Sequence, residues 1–164
     1  LFDLGKHSVH ISDYTEDTYR IGSSLLNENS IHFLNNGTND ISLNTQTLLN
    51  TYFNKVKNNK DGYCLTSSLI LEMYNLRQAK DIDYLHENNI KIDMNDNNIG
   101  LHDGIWLSYY KNHHHEIIYD PNNYFYINGY KFATLNVIKG MKHNRNENKD
   151  IQDINLINNN LNVE

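Results

Sequence analysis

Short apolar runs and amphipathic stretches alternate with polar turns along the middle of this chain. The run 63–66 (YCLT) stands between an Asp-Gly pair and two serines, a setting typical of a buried strand that leads into a turn. The next residues place Leu69, Met73 and Leu76 about one turn apart, which predicts a short amphipathic helix. A second strand is predicted over 81–86 (DIDYLH). The pattern therefore predicts a strand–helix–strand unit.

The same patterns predict elements on both sides of this unit. They are a strand over 6–12, a capped helix beginning near Asp13 or Thr15, a strand over 31–34, a helix over 43–56, a polar loop over 90–104, strands over 105–110, 116–119 and 124–135 with a hairpin turn at Asn128-Gly129, a helix from 135 to about 145, and a helix over 151–157 before a fraying end. We expect an α+β fold, with a mixed β-sheet flanked by helices. The polar loop 35–40 is the expected boundary between an N-terminal β-α-β extension (1–40) and the main domain (41–164), and we expect one compact unit.

An acidic pair and two serines are the candidate functional residues of the central unit. Asp81 and Asp83 stand at positions i and i+2 of a predicted strand, so both point to the same face and can hold one divalent cation. Ser67 or Ser68 can cap the predicted helix, and a helix N-terminus attracts an anion, most often a phosphate. This combination predicts a site where a metal and a phosphate meet.

The segment from Ser67 to Asp83 resembles an element of the nucleotidyltransferase superfamily, related to DNA polymerase beta and the CCA-adding enzymes. Members of that superfamily show Gly-Ser or Gly-Gly, a helix, often an arginine, and then Asp-x-Asp. This chain has the serine pair, a helix, Arg77 and Asp81-Ile82-Asp83 in that order. Ser67 stands where the family normally has a glycine, which lets the backbone approach a triphosphate closely.

A second segment, 130–153, is similar to the late region of the antitoxin-linked and antibiotic-modifying nucleotidyltransferases. The shared features are a strand, a helix with Met-Lys, an arginine, and Lys-Asp followed by another acid; the matching positions are Met141, Lys142, Arg145, Lys149, Asp150 and Asp153. In such proteins the helix lysine reaches nucleotide phosphates, so the resemblance implies that role for Lys142. The two segments together cover roughly half of the chain.

The resemblance implies transfer of a nucleoside monophosphate from a nucleoside triphosphate to an acceptor hydroxyl. Asp81 and Asp83 would bind Mg²⁺ or Mn²⁺, and a third carboxylate would bind a second metal or take the acceptor proton. We predict Glu116 for the third carboxylate, with Asp120 as the alternative. The nucleotide would be bound by Ser67, Ser68, Arg77 and Lys142.

Several alternatives stay open at this point. Arg77 can instead brace the turn by pairing with a carboxylate. The acceptor can be a sugar, a small alcohol, a protein hydroxyl or an RNA end, and surface-glycan metabolism is one setting for such a transferase. A different class of function is a catalytically silent domain of this fold that serves ligand binding or contacts within a larger protein.

Composition and charge narrow the choice of partners. A chain of 164 residues with 38% hydrophobic residues is one domain by size. Its net charge of −6 argues against a nucleic-acid partner, and no apolar run is long enough to span a membrane. The single Cys64 lies in a predicted buried strand, which suggests a reducing, cytoplasmic location. Because the chain begins at Leu1, we expect a fragment of a larger polypeptide.

Other polar groups are expected to be ordinary surface features. His7 and His10 lie on opposite faces of their predicted strand, so they cannot share a metal. The histidine run 113–115 would need a loop to converge on one ion, and a solvated surface segment is favoured. The acids of 90–104 lack the spacing and the closing glutamate of an EF-hand.

Overall fold

Five short strands form one mixed sheet in the computed structural model, which describes residues 14–161. In chain order they are β1 (Tyr63–Thr66), β2 (Ile82–His86), β3 (Ile99–Leu101), β4 (Tyr124–Ile127) and β5 (Tyr130–Ala133). The order in the sheet is β3-β2-β1-β5-β4. Strand β1 is therefore central, antiparallel to β2 and parallel to β5.

Eight α-helices surround the sheet in this part of the chain. They are α1 (Thr15–Leu25), α2 (Glu28–Asn36), α3 (Leu43–Val56), α4 (Ser68–Met73), α5 (Ile105–Ser108), α6 (His114–Tyr119), α7 (Leu135–Arg145) and α8 (Asn148–Leu161). Side chains of Asn27, Ser42 and Thr134 accept hydrogen bonds from the first-turn amides of α2, α3 and α7, so these helices begin where a polar cap replaces the missing backbone partner.

Large aromatic side chains fill the core between the sheet and the helices. Tyr52 of α3, Tyr84 of β2 and Phe132 of β5 are almost completely buried. Phe33 of α2 stacks on Phe125 of β4 with ring centroids 4.7 Å apart. Helix α2 therefore packs on the same core as the later part of the chain.

The structure confirms several predicted elements in the middle and the later part of the chain. Helix α3, strands β1 and β2 and helix α7 lie where the pattern predicts them. The β4–β5 hairpin turns at Asn128-Gly129, where both residues have positive φ, as a two-residue hairpin turn requires. Helix α1 begins at Thr15, one of the two predicted starts, but without a side-chain cap.

Four predicted elements are wrong. Residues 31–34, 105–110 and 116–119 are predicted as strands, but these regions form α2, α5 and α6. Each is a short apolar run, for which period alone cannot separate strand from helix. The predicted loop 90–104 contains strand β3, whose three residues are too few for a recognisable alternation. Helix α8 also extends beyond the predicted end at 157.

The predicted strand over 6–12, with His7 and His10, lies outside the described residues. The molecule is thus a mixed α/β protein whose sheet agrees with the predicted α+β class. None of the helices in residues 14–161 is long and apolar enough to cross a membrane.

Candidate functional site

A cavity of about 540 Å³ lies beside the end of β1 and the start of β2. The antiparallel register sets Thr66 opposite Asp83, so the turn after β1 lies next to the acidic pair. Residues of α7 and α8 form the opposite wall. The cavity is lined by six of the seven residues predicted for the site: Ser67, Ser68, Arg77, Asp81, Asp83 and Lys142.

The turn into α4 has an unusual backbone at Ser67. Its φ of 64° and ψ of −142° lie in a region that residues other than glycine seldom adopt. Its side chain makes no capping hydrogen bond to the helix. Ser67 thus has the backbone geometry of a glycine position while carrying a side chain.

The two carboxylates have different surroundings. Asp81 is exposed, and its Oδ1 accepts a hydrogen bond from Ser68 Oγ at 3.3 Å. Asp83 is half-buried, and its Oδ2 lies 3.2 Å from His102 Nε2. Its Oδ1 lies against Gly100 of β3, where an added Cβ would be only 2.9 Å away. Gly100 therefore provides the space that the Asp83 carboxylate occupies.

A buried hydrogen-bond chain continues from Asp83 into the protein. His102 Nδ1 lies 2.7 Å from the Tyr110 hydroxyl, which in turn lies 2.9 Å from Thr66 Oγ1. Burial raises the pKa of Tyr110, so the phenol keeps its proton. The ring of His102 also stacks on Trp106, with centroids 5.2 Å apart and planes 10° apart.

A network of five charged side chains joins the α4–β2 connection to α7 and α8. Arg77 donates two hydrogen bonds to Asp153, at 2.6 and 2.8 Å. Arg145 binds Asp150 in the same two-pronged way, at 2.9 and 2.6 Å. Lys142 lies between them, with Nζ 2.7 Å from Asp153 Oδ2 and 3.4 Å from Asp150 Oδ1.

The network fixes the ionisation of its two carboxylates. Burial by itself would raise the pKa of Asp150 and of Asp153. Hydrogen bonds from Arg145 to Asp150, and from Arg77 and Lys142 to Asp153, outweigh burial and hold both pKa values below the ordinary value. Glu147 also lies 3.7 Å from Arg145, so three carboxylates face the three cations of this wall.

The structure favours the bracing alternative for Arg77 and gives Lys142 a similar role. Lys142 is only 1% exposed, and its ammonium group is already paired with two carboxylates. Two cavity-lining lysines, Lys80 and Lys149, are more exposed. Lys149 pairs with Glu147, which is also exposed. These two lysines are better placed to meet an incoming anion.

Glu116 and Asp120 are not among the side chains that line the cavity. Glu116 lies in the first turn of α6, and Asp120 accepts a hydrogen bond from the Asn122 amide. Strand β3, the neighbour of β2, presents Gly100 opposite Asp83 rather than a carboxylate. Within residues 14–161, no group of three or more His, Cys, Asp or Glu side chains is arranged to hold a metal ion.

Sequence reasoning did not identify His102, Trp106 or Lys80 as site residues. His102 and Trp106 follow strand β3, which the sequence does not reveal, so nothing in the pattern connects them with Asp83. Lys80 directly precedes the acidic strand, and its position next to Asp81 was the available signal.

Comparisons of this chain with protein-family models, curated proteins and solved structures gave no significant match.

Proposed function

We propose that this chain is a metal-dependent nucleotidyltransferase of nucleotidyltransferase-like fold, which moves a nucleoside monophosphate from a nucleoside triphosphate to an acceptor hydroxyl. One observation carries the proposal. Residues from both segments that resemble the family, 67–83 and 130–153, line the same cavity. Arg77 and Lys142 even share one carboxylate, Asp153.

The residues of the cavity fit a magnesium ion. Mg²⁺ is commonly bound through one or two carboxylates, with substrate phosphates and water completing its coordination. Asp81 and Asp83 supply that pair, and the cations of the opposite wall suit the phosphates. When bound, the metal would neutralise charge on the triphosphate and on the leaving pyrophosphate.

The chain's own residues bind and orient the nucleotide in this proposal. The amides of the Ser67–Ser68 turn donate to phosphate oxygens, and the Ser68 hydroxyl does so once it turns away from Asp81 Oδ1, while Lys80 and Lys149 add charge. The acceptor oxygen bonds to the α-phosphorus, the bond to the β-phosphate breaks, and pyrophosphate leaves with the electron pair. The acceptor proton is released to water or to a carboxylate.

Fluorescence of Trp106 offers a direct binding test, because it is the single tryptophan of the chain and lines the cavity. We expect ATP or another nucleoside triphosphate to change its emission, and to raise the melting temperature, only when Mg²⁺ or Mn²⁺ is present. Asp83→Asn should abolish both effects while the protein stays folded. Equal shifts in EDTA would contradict the site.

Transfer itself is tested by pyrophosphate release. The protein is incubated with Mg²⁺, each nucleoside triphosphate and a panel of sugars, small alcohols, protein hydroxyls and RNA ends. Release that depends on one acceptor class would establish both the activity and the acceptor. Asp81→Asn is the matched negative control, because it removes one proposed metal ligand and leaves the buried network unchanged.

The catalytically silent alternative is favoured by a specific observation. In the described residues, neither strand next to β2 presents a third carboxylate to the cavity. The residues opposite Asp83 are Thr66 on β1 and Gly100 on β3. Such a domain would still bind a metal–nucleotide complex. Binding in the fluorescence test without pyrophosphate release for any acceptor would support this alternative over catalysis.

A further inference from the structure

We propose that His102 is a positioning residue for Asp83, held in place by Tyr110, Thr66 and Trp106. This inference rests on the proposed function, since it assigns Asp83 to a metal. Its evidence is a set of contacts that neither family-like segment contains: His102, Trp106 and Tyr110 all lie between them in the sequence.

The direction of the hydrogen-bond chain follows from the charge of Asp83. An ionised carboxylate only accepts, so the proton of a neutral imidazole must lie on Nε2 of His102, 3.2 Å from Asp83 Oδ2. Nδ1 is then an acceptor, and the Tyr110 hydroxyl donates to it. The Thr66 hydroxyl donates to the Tyr110 oxygen, which completes the chain.

The imidazole has little freedom to leave this orientation. His102 is 5% exposed, and its backbone amide donates to the Tyr84 carbonyl at 2.9 Å, which joins it to β2. The indole of Trp106 lies nearly parallel to the ring and covers it. Both ring nitrogens therefore have fixed partners, and the ring plane is set by stacking.

This arrangement commits one oxygen of Asp83 and leaves the other for the cavity. Oδ2 is held by His102, while Oδ1 lies in the space that Gly100 provides. Residues that orient a metal ligand in this way typically contribute a factor of about 10–100 to metal affinity. His102 thus acts on the metal through Asp83 and needs no contact with the nucleotide.

The test measures binding rather than activity. Free Mn²⁺ is followed by electron paramagnetic resonance during titration of the protein with a nonhydrolysable ATP analogue. We expect His102→Leu to weaken the Mn²⁺–nucleotide complex about 10–100-fold, the range usual for loss of an orienting partner. His102→Gln, whose amide can donate to Asp83 and accept from Tyr110, should recover most of that loss.

His86→Leu is the matched control for burial. His86 is also a buried histidine: it lies at the end of β2 away from Asp83, its ring centroid is 4.3 Å from that of Tyr63, and it is absent from the cavity wall. Its loss should lower stability while leaving the affinity for Mn²⁺–nucleotide unchanged. If His102→Leu does not fold, Tyr110→Phe serves instead, since it removes the hydroxyl that orients His102.

The outcomes separate the two proposals. A wild-type protein that binds no Mn²⁺–nucleotide complex overturns the proposed function and this inference with it. Wild-type binding that is unchanged in folded His102→Leu, or in Tyr110→Phe, overturns only the positioning role. Equal weakening by His86→Leu would also overturn it, because the effect would then reflect stability alone.

Discussion

The backbone of Ser67, at the turn between β1 and α4, is strained. A side chain at φ 64° and ψ −142° is in a conformation that costs about 1–3 kcal/mol for residues other than glycine. Strain of this kind persists only where the surrounding structure holds it, and here the turn lies between β1 and α4 beside the cavity. Ser67 therefore has a backbone geometry that is usual for glycine while it carries a side chain.

Ser67→Gly is expected to stabilise the protein. Relief of the strained backbone should outweigh the greater entropy of glycine in the unfolded chain, for a net gain of about 1 kcal/mol in the free energy of unfolding. Urea denaturation measures this directly. Asn75→Gly is the control: Asn75 also has positive φ, at 54°, but in the left-handed region that asparagine tolerates, so its change should be smaller.

The same variant distinguishes a working transferase from a silent domain. In a transferase, Ser67→Gly should tighten nucleoside triphosphate binding or raise turnover, because the serine side chain crowds the phosphates. A silent domain would show no turnover in either form. Unchanged transfer by the variant would mean that the serine is simply tolerated at this position.

The role of Lys142 can be separated from that of Lys149 by removing only the charge. Lys142→Met should cost about 2–3 kcal/mol, less than is usual for a broken buried pair, because Asp150 and Asp153 each keep an arginine. The side chain of Lys149 is 62% exposed, so Lys149→Met should change stability by less than about 0.5 kcal/mol.

Nucleotide affinity then decides which lysine meets the phosphates. We expect Lys149→Met to weaken binding of the metal–nucleotide complex, measured by Trp106 fluorescence, with the protein fully folded. If Lys149→Met binds normally and folded Lys142→Met does not, the direct phosphate role that the resemblance implies for Lys142 is supported instead.

At the scale of elements, the helix pair α7–α8 depends on two ionised carboxylates. Because the folded pKa values of Asp150 and Asp153 are lowered, their contribution to stability is complete above the unfolded value, about 3.9. It is lost as the pH falls through the lowered folded values. The buried Glu72, with a lowered pKa of its own, adds to the same trend.

Burial lowers the pKa of His86, so a first, smaller loss of stability is expected as the pH falls through the histidine range. We expect the free energy of unfolding to fall most steeply below about pH 4, when measured by urea denaturation at pH 7, 5 and 3. Asp150→Asn should be less stable than the wild type at pH 7, because Arg145 and Lys142 lose a charged partner. Its loss of stability between pH 5 and pH 3 should be smaller. An equal loss in both proteins would contradict the proposed role of the network in acid unfolding.

The sequence correctly predicts the elements whose own residues show a clear pattern, such as an apolar helix face or a turn dipeptide. Helix α3 has a regular apolar face, and the hairpin β4–β5 has an Asn-Gly turn that demands positive φ. The segments 105–110 and 116–119 contain aromatic and β-branched residues that favour strands, yet they contain the helices α5 and α6, and α6 packs on β1 and β2. The environment of these segments in the folded protein outweighs their intrinsic preference for strand, which is a few tenths of a kcal/mol per residue.

Some contacts of the candidate site also follow from local sequence, whereas others depend on tertiary packing. The serines and the acidic pair share one strand–helix–strand unit, so their proximity follows from local geometry. The pairing of Arg77 with Asp153 joins residues 76 positions apart, and His102 reaches Asp83 only because β3 adds to the edge of β2. Such contacts depend on tertiary packing, which hydrophobic patterning does not encode.

At the scale of the whole molecule, the surface and the cavity differ in charge. The chain carries a net charge of −6, whereas the residues lining the cavity include five lysines and arginines and three aspartates: Arg77, Lys80, Lys142, Arg145, Lys149, Asp81, Asp83 and Asp153. An acidic surface around a basic cavity favours small anions over long polyanions, whose backbone needs an extended basic surface.

Cys64 reports on the integrity of the whole fold. It lies in the central strand β1, and burial raises the pKa of its thiol to about 12. We expect its reaction with Ellman's reagent at pH 8 to proceed only as fast as the protein unfolds, and to accelerate in urea in parallel with loss of Trp106 signal. Rapid labelling of the folded protein would show that β1 opens locally.

The order of the network residues along the sequence also bears on synthesis. Three cations, Arg77, Lys142 and Arg145, precede α8 in the sequence, so they leave the ribosome before the two carboxylates that neutralise them. Until α8 emerges, these charges repel one another around an unfinished wall. Vectorial synthesis therefore delays completion of this cavity wall, and a nascent chain is expected to lack the charged network until α8 has left the ribosome.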